Sequence, residues 1–246
     1  PGGLQNIQLD FASLRNDRRS ANALAVLARR AAESLDYANT IEDAALAELV
    51  GNDLFEDVER KIISVLTQAI VERTMSAREV SEIIRSRQSS IWVDGYRELY
   101  AALAAASDLL SELATARFEI ASFNDGLDRY RKHWFRIDQL YRQFHFAART
   151  TEYAGPLEAL RVEVEKHYAN RYLYELGNAW QQQVDQVATW RSAALRSQSD
   201  FYARWVEPLV RDGDKKAVVI ISDAMRYEVA DELGSLIRQE DRFDAT

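Results

Sequence analysis

The sequence of 246 residues contains no cysteine and few of the residues that form turns. Without cysteine the chain can form neither a disulfide nor a thiolate metal site, which fits a reducing compartment such as the cytoplasm. It has 9 glycines and 3 prolines, too few for a protein built from many short strands and tight turns. These absences favour a helical fold.

The lack of a long apolar run and of a net positive charge limits which partners the protein can have. No apolar run approaches the roughly 20 residues that a helix needs to cross a bilayer, so we expect no membrane contact. The formal net charge is −8 at pH 7, which disfavours a broad nucleic-acid-coating surface but allows a local basic patch. The histidines, His133, His145 and His167, are not at ligand spacing and predict no metal site of their own.

Apolar residues recur at intervals of three and four along most of the chain, which predicts amphipathic helices and a mainly α fold. The two longest stripes cover residues 96–113 and 127–148 with a period close to 3.5 residues. The segment Asn124-Asp125-Gly126 between them is typical of a turn. We interpret the two stripes as a long antiparallel helical hairpin within a multi-helix bundle.

Short polar motifs predict where other helices begin. Thr40 with Asp43, and Ser76 with Glu79, have the spacing of a capping box. Gly177 lies inside a later helical run, and it argues against one straight helix there because glycine weakens helix interiors.

Several arginines and Lys132 alternate with aromatic residues over residues 129–149. Cations that meet phosphate and rings that stack on bases are typical of nucleic-acid surfaces. However, Tyr130, Trp134 and Phe144 lie on the apolar stripe of their helix, where core packing explains them. Core packing is the preferred interpretation, and DNA or RNA binding is the alternative.

Only residues 215–233 depart from the helical pattern. The unbroken apolar run 217–221 consists mostly of β-branched residues and predicts a strand covered on both faces. Ser222 and Asp223 follow, and a helical stripe begins at Met225. Asp223 would therefore lie at the carboxyl end of a strand, the edge at which open α/β sheets bind ligands.

Three roles are compatible with Asp223 at this position. It could cap the helix by accepting from a backbone amide, bind Zn, Mn or Mg as a hard carboxylate, or accept a phosphoryl group as a nucleophile. Arg226 could bind a phosphate near the helix N-terminus, or form a surface salt bridge. The residues alone leave these alternatives open.

The string VVIISDAMRYEVADEL, residues 218–233, resembles the opening motif of the PglZ family, members of the alkaline phosphatase superfamily found in BREX bacterial defence against phage. In that family a strand is followed by Ser-Asp-Ala-x-Arg-Tyr-Glu and then a helix, and residues 222–228 agree at each fixed position. The resemblance implies that residues 213–246 are one βα unit that begins an α/β alkaline-phosphatase-like domain. Residues 1–212 would then form an all-helical module.

The resemblance also implies a function. Asp223 would be the first metal-binding carboxylate of a two-metal site, with zinc or manganese as the divalent metal. The parent protein would be a metal-dependent phosphatase or phosphodiesterase in the bacterial cytoplasm, with other BREX components, and DNA in the full complex, as partners. The remaining ligands and the nucleophile belong to later segments of that domain, so we expect no catalytic residue in this chain and no activity from it alone. A second hypothesis is a helical protein-interaction or DNA-binding module with no catalytic role.

Overall fold

A computed structural model describes residues 20–192, 195–211 and 216–240 of the chain. The prediction of a mainly α fold is confirmed, because the regular structure in these ranges is helical. In chain order the α-helices described are α1 (Ala21–Ser34), α2 (Tyr37–Thr40), α3 (Leu46–Val50), α4 (Glu56–Glu72), α5 (Ala77–Ser86), α6 (Val93–Thr115), α7 (Phe123–Arg129), α8 (Phe135–Thr150), α9 (Glu158–His167), α10 (Gly177–Val184), α11 (Glu207–Arg211) and α12 (Tyr227–Gln239).

Tighter and wider turns join several of these helices. Short 3₁₀ turns occupy Arg87–Ser89, Gly155–Leu157 and Gln198–Asp200. Wider π-helical segments occupy Tyr130–Trp134, Tyr168–Leu176 and Tyr202–Val206. Within the described ranges, no helix has both the length and the apolar composition that a membrane crossing requires.

The strand of the expected βα unit is a point at which the structure differs from the prediction. Its helix is present as α12, but residues 216–221 have no regular structure, and the described part of the chain contains no strand. Val218, Ile220 and Ile221 are 86%, 87% and 89% exposed. The physical reason is that a strand needs a neighbour to pair its backbone groups, and none of the described residues supplies one.

The chain forms two compact units. The first contains residues up to Ala114 together with Leu140–Lys166, and the second contains Thr115–Gln139 together with residues from His167 onward. These units follow spatial contacts. The domain boundary that we predicted from the sequence, 1–212 against 213–246, concerns the organisation of a longer protein and stays a prediction.

Helix α4 supplies much of the core of the first unit. Val58, Ile62 and Leu66 of this helix are fully buried. The capping box at the start of α5 is confirmed, because the Ser76 hydroxyl accepts from the Glu79 amide and the Glu79 carboxylate accepts from the Ser76 amide. The other predicted box is wrong, since Thr40 is the last residue of α2 rather than the cap of a helix.

A buried carboxylate organises the same core. Glu59 accepts from Arg87 Nη2 at 2.5 Å and from Ser90 Oγ at 2.5 Å, and the Tyr100 hydroxyl also donates to it. Arg87 uses a further nitrogen to reach the Val50 carbonyl oxygen at 2.8 Å. We call Glu59, Arg87, Ser90 and Tyr100 the Glu59 cluster. Its two opposite charges, both almost fully buried, balance each other.

In the second unit the predicted turn at Asn124-Asp125-Gly126 is wrong, because these residues form the first turn of α7. Ser122 caps this helix by accepting from the Asp125 amide at 3.2 Å, which fixes the start of the helix before the turn signal. Gly126 is required for packing instead, since a Cβ at this position would lie 2.8 Å from the Trp180 ring.

Candidate functional site

Asp223 lies in an exposed turn that precedes α12. Asp223 and Ala224 form the turn, and Ala224 has a left-handed backbone with φ of 59°. Helix α12 begins at Tyr227 with Arg226 as its N-cap, so Asp223 does not cap this helix. Its carboxylate has no hydrogen-bond or ion-pair partner among the residues that the structure describes. The hypothesis that Asp223 caps the helix is therefore wrong, and no described residue pairs with its carboxylate.

Arg226, three residues later, contacts two acids. Its Nε lies 2.8 Å from Glu228 Oε1, and its Nη2 lies 3.5 Å from Asp138 Oδ1. Partial burial would lower the pKa of Arg226, but the charges of Glu228 and Asp138 outweigh that effect and raise it. The guanidinium is thus occupied by carboxylates here, and the predicted phosphate contact of Arg226 stays a prediction.

Asp138 is buried and accepts three tyrosine hydroxyls. The donors are Tyr168 at 2.6 Å, Tyr130 at 2.8 Å and Tyr172 at 3.0 Å. We call these four residues the Asp138 cluster. Burial raises the pKa of each of the three hydroxyls, and the negative charge of Asp138 raises it further. The hydroxyls therefore remain protonated and act as donors to a carboxylate that is 6% exposed.

Two π-helical segments place the tyrosines of this cluster. Tyr130 begins the segment that leads into α8, where Asp138 lies, and Tyr168 and Tyr172 belong to the nine-residue segment before α10. A π-helical turn shifts the hydrogen-bond pattern from i→i+4 to i→i+5 and so changes which residues share a face. Such segments are frequent at functional sites. The sequence periodicity showed these residues as helical but did not show this grouping.

A pocket of about 550 Å³ adjoins the cluster within the second unit. Its charged lining residues are Asp138 and Arg226, and most of its wall is aromatic or aliphatic, as is common for small-molecule sites. The lining residues are Ile120, Gly126, Leu127, Tyr130, Trp134, Asp138, Tyr168, Tyr172, Leu173, Leu176, Gly177, Trp180 and Arg226.

Glu228 is the most unusual acid of this region. Its side chain is fully buried, and neither carboxylate oxygen has a hydrogen-bond donor among the described residues. The 2.8 Å approach of Arg226 is close enough for an ion pair, although its angle does not make a hydrogen bond. Arg226 therefore provides the charge that compensates Glu228.

Three of the basic residues of 129–149 are paired with acids, and two of the aromatic rings are buried. Arg129 pairs with Asp125, and both Arg131 and Lys132 pair with Asp128. The rings that would stack on bases, Trp134 and Phe144 among them, are buried. This geometry favours the core interpretation of the aromatic stripe.

The described residues contain no group of three or more histidine, aspartate or glutamate side chains that could hold a metal ion. His145 lies 3.2 Å from Glu165 in an isolated pair. Within these ranges Asp223 has no companion ligands, and its role as a metal ligand stays a prediction.

Comparison with known proteins identifies the relatives of the chain. The family model described as the BREX system PglZ alkaline phosphatase-like domain matches residues 201–246. The alkaline phosphatase-like protein PglZ of Bacillus cereus (strain H3081.97) is 30% identical over 219 residues, which are 87% of this chain and 25% of that protein. The alkaline phosphatase-like protein BrxZ of Escherichia coli O9:H4 (strain HS) is 34% identical over 202 residues, which are 76% of this chain and 23% of that protein.

The chain thus spans about a quarter of the length of these curated relatives. A search of the solved structures gave no match. The family-model match begins shortly before α11 and includes the Asp223 turn and α12, while the similarity to both relatives extends far into the helices before it. Residues 201–246 thus match the PglZ domain of BREX systems, and the chain resembles PglZ-type proteins over most of its own length.

Proposed function

We propose that the whole protein is a metal-dependent phosphatase or phosphodiesterase of the alkaline phosphatase superfamily, and that it acts in a bacterial defence system against phage. The observation that carries this proposal is the state of Asp223. Its carboxylate is exposed on a turn before a helix and has no partner in the described part of the chain, whereas Arg226 and Glu228 nearby are engaged with each other. A free carboxylate in this position is suited to binding a divalent cation.

Zinc or manganese fits this oxygen ligand. Two such ions, when bound, would stabilise both the attacking and the leaving oxygen of a phosphoryl transfer. In this scheme Asp223 holds one ion, and the other ligands come from the rest of the protein. Because the described residues contain no group of three or more side chains that could hold a metal ion, we expect no hydrolysis of a phosphoric ester by this chain alone.

The experiment is an Asp223→Ala change in the full-length protein, followed by measurement of bound zinc and manganese by mass spectrometry. The metal content should fall, and hydrolysis of bis-p-nitrophenyl phosphate should be lost with it. Asp200→Ala, which removes another exposed carboxylate of the same unit, is the matched control and should change neither. Unchanged metal content with lost turnover would instead support a nucleophilic role for Asp223, and unchanged values of both would reject the proposal.

A second function, recruitment of other BREX components in the cytoplasm, is favoured by the segment around α11. Its large apolar side chains are unusually open to solvent, with Tyr202 61% and Trp205 52% exposed. A pull-down from cells that co-express the BREX components would test it, with Tyr202→Ser and Trp205→Ser combined in one variant. Partner capture should decrease; undiminished capture would reject this surface.

A further inference from the structure

Two of the three residues that begin α12, counted from its N-cap, contact the region of Asp138, and the third contacts the first. Arg226 reaches Asp138, and Glu228 is buried beside Arg226. The Tyr227 ring meets Phe135 edge-on at a centroid distance of 5.2 Å and Tyr130 at 6.2 Å. The first turn of α12 therefore contacts this part of the second unit through the Arg226 charge and the Tyr227 ring.

The rest of α12 and the segment before it are more exposed than Glu228. Glu228 is the one fully buried residue of α12, and Leu233 and Leu236 are largely exposed. Residues 216–225 make no hydrogen bond or ion pair with any residue that the structure describes. Along the chain, the side-chain contacts closest to the Asp223 turn are thus those of Arg226, Tyr227 and Glu228.

The chemistry of these contacts is suited to fixing a position. The Arg226 side chain is 60% exposed, but both of its carboxylate partners are buried. An arrangement that moves Arg226 away from them leaves a buried carboxylate without a compensating charge, which is unfavourable. Glu228 has no hydrogen-bond donor among the described residues, so a displaced Arg226 would leave it uncompensated.

We propose that Arg226, Tyr227 and Glu228 are positioning residues that couple the Asp138 cluster to the Asp223 turn and so hold the carboxylate of Asp223 where the metal binds. This inference rests on the proposed metal role of Asp223. It assigns Arg226 to the Asp138 carboxylate rather than to a substrate phosphate. Helical residues distant in sequence would then control the affinity of the metal site.

The proposal predicts the same defect from either side of the Arg226–Asp138 contact. In the full-length protein, Asp138→Asn and Arg226→Met should each weaken zinc or manganese affinity by about 10-fold, the lower end of what removal of an outer partner of a metal ligand costs. The double variant should be no weaker than either single variant, because both remove one contact. Arg226→Lys, which keeps the charge, should recover part of the affinity.

Kinetics separate positioning from substrate binding. With bis-p-nitrophenyl phosphate as the probe and metal added to saturation, the variants should recover kcat, and KM should stay at the wild-type value. Hydrogen exchange over residues 216–240 should be faster in both single variants. Arg211→Met, which breaks an exposed ion pair with Glu207 of the same unit, is the matched control and should alter neither metal affinity nor exchange.

The outcomes are distinguishable. If Arg226→Met raises KM at saturating metal while Asp138→Asn does not, Arg226 contacts the substrate and the proposal is overturned. Unchanged exchange and unchanged metal affinity in both variants would also overturn it. Failure of the proposed function itself would appear in Asp223→Ala, as metal content equal to wild type. Should Asp138→Asn not fold, Tyr227→Leu, which removes an edge-on ring from a half-exposed position, must give the same loss of metal affinity.

Discussion

The Glu59 cluster and the Asp138 cluster each centre on a buried carboxylate that accepts tyrosine hydroxyls, but their cations differ. The Arg87 side chain is 2% exposed, and two of its nitrogens donate hydrogen bonds to Glu59. The Arg226 side chain is 60% exposed and stays 3.5 Å from Asp138. Both members of the first pair are buried in one core. In the second pair the cation lies at the surface, at the start of a helix with one fully buried residue.

This difference separates two uses of the same chemistry. In the Glu59 cluster, loss of the cation would leave a charge in a dry core with no route to solvent, so the pair is needed for the fold. In the Asp138 cluster three hydroxyls already satisfy the carboxylate. Loss of Arg226 should therefore leave the core folded. We infer that the Arg226–Asp138 contact holds α12 in place.

Alkaline pH should have the largest effect, because it acts on both clusters. Burial first, and the neighbouring acids next, raise the pKa of Tyr100 and of the three tyrosines of the Asp138 cluster, and burial raises the pKa of Tyr96 to about 12. An unfolded tyrosine loses its proton near pH 10. The folded state therefore binds more protons above that pH. The stability that these tyrosines contribute should be constant below about pH 10 and should fall as the pH rises above it.

The measurement is tyrosinate absorbance recorded together with circular dichroism during alkaline titration. We expect a late group of tyrosines that ionises in the same step as the loss of helix. Reversible ionisation of all 11 tyrosines near pH 10, with the helical signal intact, would contradict the burial of both clusters.

The largest effect of a single substitution should come from Arg87→Met. It leaves Glu59 buried without its cation, which typically costs about 3–5 kcal/mol. Urea unfolding followed by circular dichroism measures the loss. Arg78→Met, which breaks an exposed pair with Glu82, is the control and should cost no more than about 1 kcal/mol. Equal losses in the two variants would remove the distinction between the closed pair and a surface pair.

Tyr172→Phe tests the Asp138 cluster without altering any charge. The Tyr172 hydroxyl donates to Asp138 at 3.0 Å and lies 3.2 Å from the Trp134 carbonyl oxygen. Loss of a hydrogen bond to a charged group should cost about 1.5–3 kcal/mol in the same unfolding experiment. Tyr174→Phe, at a position that is 68% exposed, should be neutral. A neutral Tyr172→Phe would show that Asp138 does not depend on its hydroxyl donors.

Sequence reasoning succeeded with one of the two local capping signals. The spacing of Ser76 and Glu79 predicted a capping box, because both partners lie within one helical turn. It failed where distant residues decide, as at Gly126, whose role is set by the Trp180 ring. The strand prediction failed for a related reason, since strand formation depends on a pairing partner that a local apolar run does not provide.

The candidate site divides in the same way. The pattern of an apolar run followed by Ser-Asp made Asp223 a candidate, and the motif indicated the family. The Asp138 cluster could not be predicted, because 30 residues separate Asp138 from Tyr168 and π-helical segments set their common face. Helical periodicity assumes 3.6 residues per turn, so it misassigns faces wherever the turn is wider.

Arg226→Met should have the smallest effect on global stability, at most about 1 kcal/mol, although it also leaves Glu228 without its cation. The reason is that α12 has one fully buried residue, so its first turn can open locally and hydrate Glu228 while the core of the unit stays folded. Hydrogen exchange should therefore rise over residues 227–239 with little change over α7 and α8, and the urea midpoint should hardly move. A loss as large as that of Arg87→Met would mean that the Arg226 contact is part of the core, and the two clusters would then be equivalent.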